Sequence, residues 1–274
     1  MLVVPQTILG VDFSGAHLAG EKIWIAHSEV TGGVLRIQSL QRACELPGGA
    51  IEREAALRVT REYISSFKNA LCGFDFPFSL ALESFPEAER ADFNWREWLA
   101  ALPEYSDAEE FKAAFPDAAR ATDLESKTPF SPLNLRLFRQ TFHGLRDVVL
   151  PLVESGALAL PFDELPFDEV EAESQKLRLL EICPASLLKK QKLYLSYKGR
   201  SPLQRENRET ILQQTQERTR VKMSEEISRR IFKDTEGDAL DAVLAAVCTF
   251  RALQNPVNFQ ARNEREKFEG RVYF

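Results

Sequence analysis

The sequence predicts an α/β protein: a mixed five-stranded sheet flanked by helices, with a largely helical insertion at about residues 82–173. Three observations lead there. Short apolar runs near the N-terminus are separated by short glycine-containing links. An amphipathic helical stretch and a further apolar run follow, giving the order strand, strand, strand, helix, strand. The long segment after that run has no strand set of its own.

Thr7 to Phe13 (TILGVDF) is a short apolar run of the kind a buried strand requires. Lys22 to His27 forms a second strand. Val34 to Leu40 alternates apolar and polar residues and forms a third. The Thr31-Gly32-Gly33 link favours an antiparallel hairpin between them. Glu52 to Ala70 places Ala55, Val59, Tyr63 or Ile64, and Phe67 at helical spacing. Leu71 to Phe76 (LCGFDF) is the fourth strand, and Pro77 stops it. The insertion is rich in aromatic residues, prolines and acids. It holds one clear helical stretch, Asn134 to Glu154, broken at Pro151. Its aromatic side chains need a surface to bury against, so it is expected to cover or border a cleft at the sheet edge rather than fold apart. Leu177 to Cys183 is the fifth strand. Ser201 to Phe232 is polar, basic and helix-forming. Asp234 to Leu253 is the last long helix, with Leu240, Leu244, Val247 and Phe250 on its apolar face. Residues 1–274 read as one domain.

Hydrophobic residues make up 44% and charged residues 28% of the 274, so a core can form without disulfides or structural zinc. Cys44, Cys72, Cys183 and Cys248 contain no CxxC pair and sit among apolar neighbours, as buried reduced thiols do. No apolar run approaches the roughly 20 residues that span a bilayer, and Met1 to Gly10 has no signal-peptide pattern. The expected location is the cytoplasm. A net charge of −6 gives no global attraction to nucleic acid. From Lys189 to Lys233, however, 13 Lys and Arg face 5 Asp and Glu, which creates a local positive field.

Four acids stand where apolar structure ends or turns: Asp12, Asp75, Asp238 and Asp241. An unpaired buried carboxylate is costly, so each needs a partner. Asp12 is either a turn residue for Ser14-Gly15 or a ligand at a strand end. Asp75 repeats that choice before Pro77. Asp238 and Asp241 lie three apart on one helix face. Asp234 or Asp238 suffices to cap that helix, but Asp241 is already a turn inside it. Hard divalent cations take such oxygen ligands, and paired ions activate water for phosphoryl chemistry. The four acids are therefore expected to converge on Mg²⁺ or Mn²⁺ and to be catalytic.

GVDFSGA (10–16), GFDFPF (73–78), RATD (120–123), RQTFHGLRDVVLPL (139–152), EICPAS (181–186), GDALDAVLAA (237–246) and EGRVY (269–273) resemble, in order, the domain-of-unknown-function family 429. That resemblance implies a ribonuclease-H-like fold and a predicted nuclease activity. The order of acids is also similar to that of Holliday-junction resolvases, where a first-strand aspartate, a fourth-strand acid and two helix aspartates bind metal. Asp12, Asp75, Asp238 and Asp241 match those positions, although a glutamate is usual where Asp75 stands. Glu181 has no clear place in that set; it is either an extra ligand or a partner of the EICPAS turn.

Further candidates are polar. Lys189, Lys190 and Lys192, interleaved with Tyr194 and Tyr197 and followed by Lys198 and Arg200, suit phosphates and bases, or else are a solvated surface. Arg120 and Asp123, with Arg139, Gln140 and His143, form either part of a substrate pocket or insertion scaffolding. His17 nears the acids only if its loop folds back. The expected function is hydrolysis of nucleic-acid phosphodiesters. Two alternatives are a non-catalytic scaffold and an actin-like nucleotide-binding ATPase or kinase, which GVDFSGA also resembles but which needs a second core copy.

Overall fold

The computed structural model describes residues 5–163 and 176–274. Strands Thr7–Asp12 (β1), Trp24–Thr31 (β2) and Val34–Arg42 (β3) form an antiparallel meander. Ala70–Phe74 (β4) then returns to the other side of β1 and pairs with it in parallel. Arg178–Glu181 (β6) adds in parallel beyond β4. These five are the predicted strands. Two more extend the sheet to seven, in the order β5-β6-β4-β1-β2-β3-β7. Leu158–Leu160 (β5) pairs with β6, and Val221–Lys222 (β7) pairs with β3. Strands of three and two residues carry no readable alternation, so the expected five-stranded count falls short.

Helices flank the sheet. Ala19–Lys22 (α1) and Arg53–Ser65 (α2) precede β4. Between β4 and β5 come Glu87–Arg90 (α3), Trp95–Ala101 (α4), Ala108–Ala114 (α5), Ala121–Ser126 (α6), Phe138–Gly144 (α7) and Leu150–Glu154 (α8). The predicted insertion is thus helical up to α8, but β5 inside it belongs to the main sheet. Its last stretch, residues 164–173, lies outside the described residues. Pro151 does not break the predicted helix; a π-helical turn, Leu145–Val149, joins α7 to α8 just before it. Pro151 has no N–H to return to the Asp147 carbonyl, and the Arg61 guanidinium donates to that oxygen. The predicted 201–232 helix is two, Pro202–Thr219 (α10) and Glu225–Lys233 (α11), separated by β7. Pro184–Gln191 (α9), Asp238–Leu253 (α12) and Glu264–Glu269 (α13) complete the set. Among the described residues no helix is long and apolar enough to cross a membrane.

Period-two alternation divides the core between the two faces of the sheet. Leu9, Val11, Cys72 and Phe74 join α2 and the insertion in one apolar cluster, which includes Phe78, Trp95, Phe111 and Phe142. Ile8, Leu71, Leu180 and Ile182 join α12, α10 and α11 in the other. The insertion therefore buries its aromatic residues on the first face. On the second face α12 is buried along nearly its whole length, between the sheet and the outer helices, which is why its sequence is apolar almost all round.

Two glycines set how close α12 comes. A Cβ on Gly10 of β1 would fall on the backbone of Ala242 and Ala246, and one on Gly73 of β4 would fall on the Thr249 hydroxyl. Gly10→Ala should therefore cost about 3 kcal/mol, the upper end of overpacking penalties, because backbone rather than a flexible side chain must yield. Urea unfolding of the variant checks this; an unchanged midpoint would show that the helix has room to spare.

Candidate active-site cleft

The chain turns from β1 outward to β2 and β3, then crosses back to β4. Its first two parallel strands thus flank a topological switch point, where open α/β sheets bind ligands at the carboxyl ends of the strands. Asp12 ends β1, and Asp75 follows β4, its N–H donating to the Val11 carbonyl at 3.1 Å. Asp12 shares the parity of Ile8 and Gly10, and Asp75 that of Leu71 and Gly73. Both positions therefore belong to the α12 face.

Asp238 and Asp241 lie in the first turn of α12. The cap is supplied by Asp234, whose Oδ2 accepts from the Ala239 N–H at 2.8 Å. That leaves Asp238 free of capping duty. Asp12, Asp75, Asp238 and Asp241 all line one cavity of about 520 Å³. Asp241 is 4% and Asp12 9% exposed. Burial, then the neighbouring Asp241, pushes Asp75 up to about 8. Burial, then Asp241 and Asp238, pushes Asp12 well above the carboxylate range. Burial lifts Asp238 to about 6 against the pull of Lys198.

One cation already serves this floor. Lys198 Nζ lies 2.8 Å from Asp241 Oδ2 and 3.5 Å from Asp238 Oδ1. Burial would lower the ammonium pKa, but Asp241 and Asp12 raise it further, so Lys198 stays charged. The Tyr197 hydroxyl donates to Asp241 Oδ1 at 2.7 Å. As placed, no group of three or more His, Cys, Asp or Glu among the described residues stands ready to hold a metal ion. The donor chemistry nonetheless fits a hard divalent cation: four carboxylates share a desolvated floor with one ammonium, and their mutual repulsion is what a second cation relieves.

Glu181 lies on the opposite face. It has the parity of Leu179, and its Oε2 accepts from the Phe78 N–H at 2.9 Å and from Arg120 Nη1 at 2.7 Å. Arg120 Nη2 donates to Glu181 Oε1 and, at 2.7 Å, to Asp123 Oδ1; Nη1 also donates to the Glu269 carbonyl. Burial works against the guanidinium's charge, and Asp123 and Glu181 more than offset it. Arg120 and Asp123 line the cavity, but their charges are spent tying the insertion to β6 and α13. This geometry gives them a structural role.

The other predicted residues disperse. Arg139 pairs with Glu109, and its carbonyl crowds Gly15 in the loop after β1. Lys189 Nζ donates to the Lys127 carbonyl, and Lys190 lies over the Phe274 ring. Lys192 ends α9 in a left-handed conformation. None of these four lines the cavity. Buried His143 contacts Asp147, and exposed His17 pairs with Glu52, so neither reaches the acids. Gln140 does: its Nε2 donates to the Asp75 carbonyl at 2.7 Å. Cys183 also lines the cavity, but burial pushes its thiol up to about 12, which keeps it protonated. The sequence does not announce the contacts that Tyr197 and Lys198 make with Asp241. Nothing there shows that the chain doubles back after Lys192, although Gly237 marks the return: a Cβ on it would lie 2.9 Å from the Tyr197 ring.

Two expectations follow. Folded Asp75 keeps its proton up to about 8, whereas the unfolded chain gives it up near 3.8. Its stabilising contribution is thus complete below the unfolded value and lost as pH rises through the folded one. The metal-free protein should melt at lower temperature as pH climbs across that window, and Asp75→Asn should flatten the dependence. Arg120→Met should cost roughly 3–5 kcal/mol in denaturant unfolding, because it leaves two buried acids without a counter-charge; a loss of activity with no loss of stability would return Arg120 to the substrate.

Compared with known proteins, no family model, no curated protein and no solved structure matches this chain.

Proposed function

We propose that this chain is a cytoplasmic, metal-dependent nuclease that hydrolyses phosphodiester bonds of nucleic acid, built on the ribonuclease-H-like core that its resemblance to family 429 implies. The observation that supports this most is the meeting of Asp12, Asp75, Asp238 and Asp241, from two strands and a helix, on one desolvated cleft floor. Such a floor is unstable without positive charge. Mg²⁺ or Mn²⁺, when bound, would supply activation of the attacking water and stabilisation of the leaving oxygen.

The chain's own residues have separate tasks. The four aspartates would hold the cation. Tyr197 and Lys198 fix Asp241 by a hydrogen bond and an ion pair. Gln140 anchors the Asp75 backbone from the insertion side. Lys198 is half exposed, so its ammonium can turn from Asp238 toward a substrate phosphate while keeping within reach of Asp241.

One observation favours the scaffold reading: Lys198 already neutralises part of the floor. The actin-like reading gains nothing, since the described residues form a single seven-stranded sheet. One assay separates these. Wild type and Asp12→Asn are given labelled single-stranded, duplex, hybrid and branched nucleic acids with Mg²⁺, Mn²⁺ or chelator, alongside melting curves. The nuclease should cleave only with metal and should melt higher when metal is added. Asp12→Asn should lose both effects while melting at least as high as metal-free wild type, because Asn cannot become a charge buried beside Asp241 and Asp238. Equal activity of the two proteins on every substrate, or no metal-induced stabilisation of wild type, would leave the scaffold.

A further inference from the structure

We propose that the mouth of this cleft is a grip for single-stranded nucleic acid, made of two aromatic–cation pairs: Phe130 with Arg136, and Tyr194 with Lys189. The inference rests on the nuclease reading for its choice of nucleic acid, and it specifies which form of nucleic acid enters.

The cleft changes character from floor to mouth. Its floor is acidic and almost sealed, with Asp12 and Asp241 barely exposed. Phe130, Arg136 and Tyr194 also line it. Arg136 is exposed, and Tyr194 is 52% exposed, a large open surface for an aromatic ring. The Arg136 guanidinium lies 5.5 Å from the Phe130 ring centroid, and Lys189 Nζ lies 5.1 Å from that of Tyr194. Each pair thus combines a flat ring with a cation lying over it. Elsewhere around the cleft, Lys22 is paired with Glu236, Lys198 with Asp241 and Arg120 with Asp123. Arg136 and Lys189 have no carboxylate partner among the described residues. Their charges are available to an outside anion.

This pairing matches the chemistry of a single strand, in which each unit has a flat base and one phosphate. Rings stack on bases without regard to sequence, and the adjacent cations meet phosphates. The two pairs come from different elements. Phe130 and Arg136 lie in the link between α6 and α7, and Lys189 and Tyr194 lie at and beyond the end of α9. A cavity of about 520 Å³ falls within the size range of small-ligand sites. A cavity of that size suits one nucleotide unit of a single strand and not the body of a duplex.

The test is fluorescence anisotropy on the full chain in chelator, where binding is read without hydrolysis. The probes are short labelled oligothymidylate and oligouridylate, and a labelled hairpin duplex. Single strands should bind more tightly than the hairpin. Phe130→Leu and Tyr194→Ala should each weaken single-strand binding roughly 5- to 100-fold, as loss of one stacked base does, while Tyr194→Phe retains it. The Arg136→Ala/Lys189→Ala pair should lower the salt slope of log K by about 1.4, or about 0.7 per phosphate contact. Melting curves like that of wild type exclude misfolding. Tighter binding of the hairpin, or full single-strand affinity in the aromatic variants, overturns the grip even where metal-dependent cleavage is seen. Selective single-strand binding that depends on these rings supports the grip even if no metal restores cleavage, in which case the nuclease reading alone fails.

Discussion

The contact on which the site depends is the close approach of α12 to β1 and β4. At Gly10 the strand meets the backbone of α12 directly, and at Gly73 the Thr249 hydroxyl of α12 fills the space a Cβ would take. A larger residue at either position would lift the helix, and with it Asp238 and Asp241, away from Asp12 and Asp75. The same closeness explains why α12 presents small residues, Ala242, Ala246 and Thr249, where it meets Gly10 and Gly73. The two glycines and the four aspartates are thus one arrangement. The first pair sets the spacing at which the second set is forced into mutual repulsion.

That repulsion must be offset, and the fold does so only in part. Tyr197 and Lys198 attend to Asp241, and Lys198 reaches Asp238. Among the described residues Asp12 and Asp75 receive no comparable partner, and they respond by holding their protons. On the opposite face the balance differs. Glu181 and Asp123 have a full guanidinium between them, with Glu269 supplying a further acceptor. Buried acids that are fully answered by Arg120 hold the structure together. Buried acids left under-neutralised are the ones that a cation from solution would serve.

Much of this was legible in the sequence, for physical reasons. The five longer strands and α12 show the periodicity of elements buried on one or all sides, and the four acids stand out because each breaks an apolar run. The short strands β5 and β7 do not, since Leu158–Leu160 and Val221–Lys222 gain their strand character from neighbours rather than from their own pattern. Arg120 illustrates another limit. Its charge suggests phosphate binding, but its partners are nearby Asp123 together with Glu181 and Glu269, which the chain delivers from far along the sequence. Likewise Lys198 and Lys189 are equivalent as letters in one basic stretch. The left-handed end of α9 at Lys192 separates them, sending one to the floor and leaving the other near the rim.

Strand parity sorts the buried acids into two sets. Asp75 and Glu181 both sit at the carboxyl ends of neighbouring parallel strands, and both are buried or nearly so. The backbone registers Phe74 opposite Glu181, so Asp75 is one residue beyond that pair and turns to the other face. A single residue of offset therefore divides the acids into two sets with opposite chemistry. Asp75 joins a floor with one ammonium among four acids, and Glu181 joins a network in which a guanidinium answers it directly. Because the insertion is fastened through Arg120 to that second set, and through Gln140 to the Asp75 backbone, it is held over the first set from both sides. The insertion wall carrying Phe130 and Arg136 thus lines the same cavity as the four aspartates, tied down by Arg120 and Gln140.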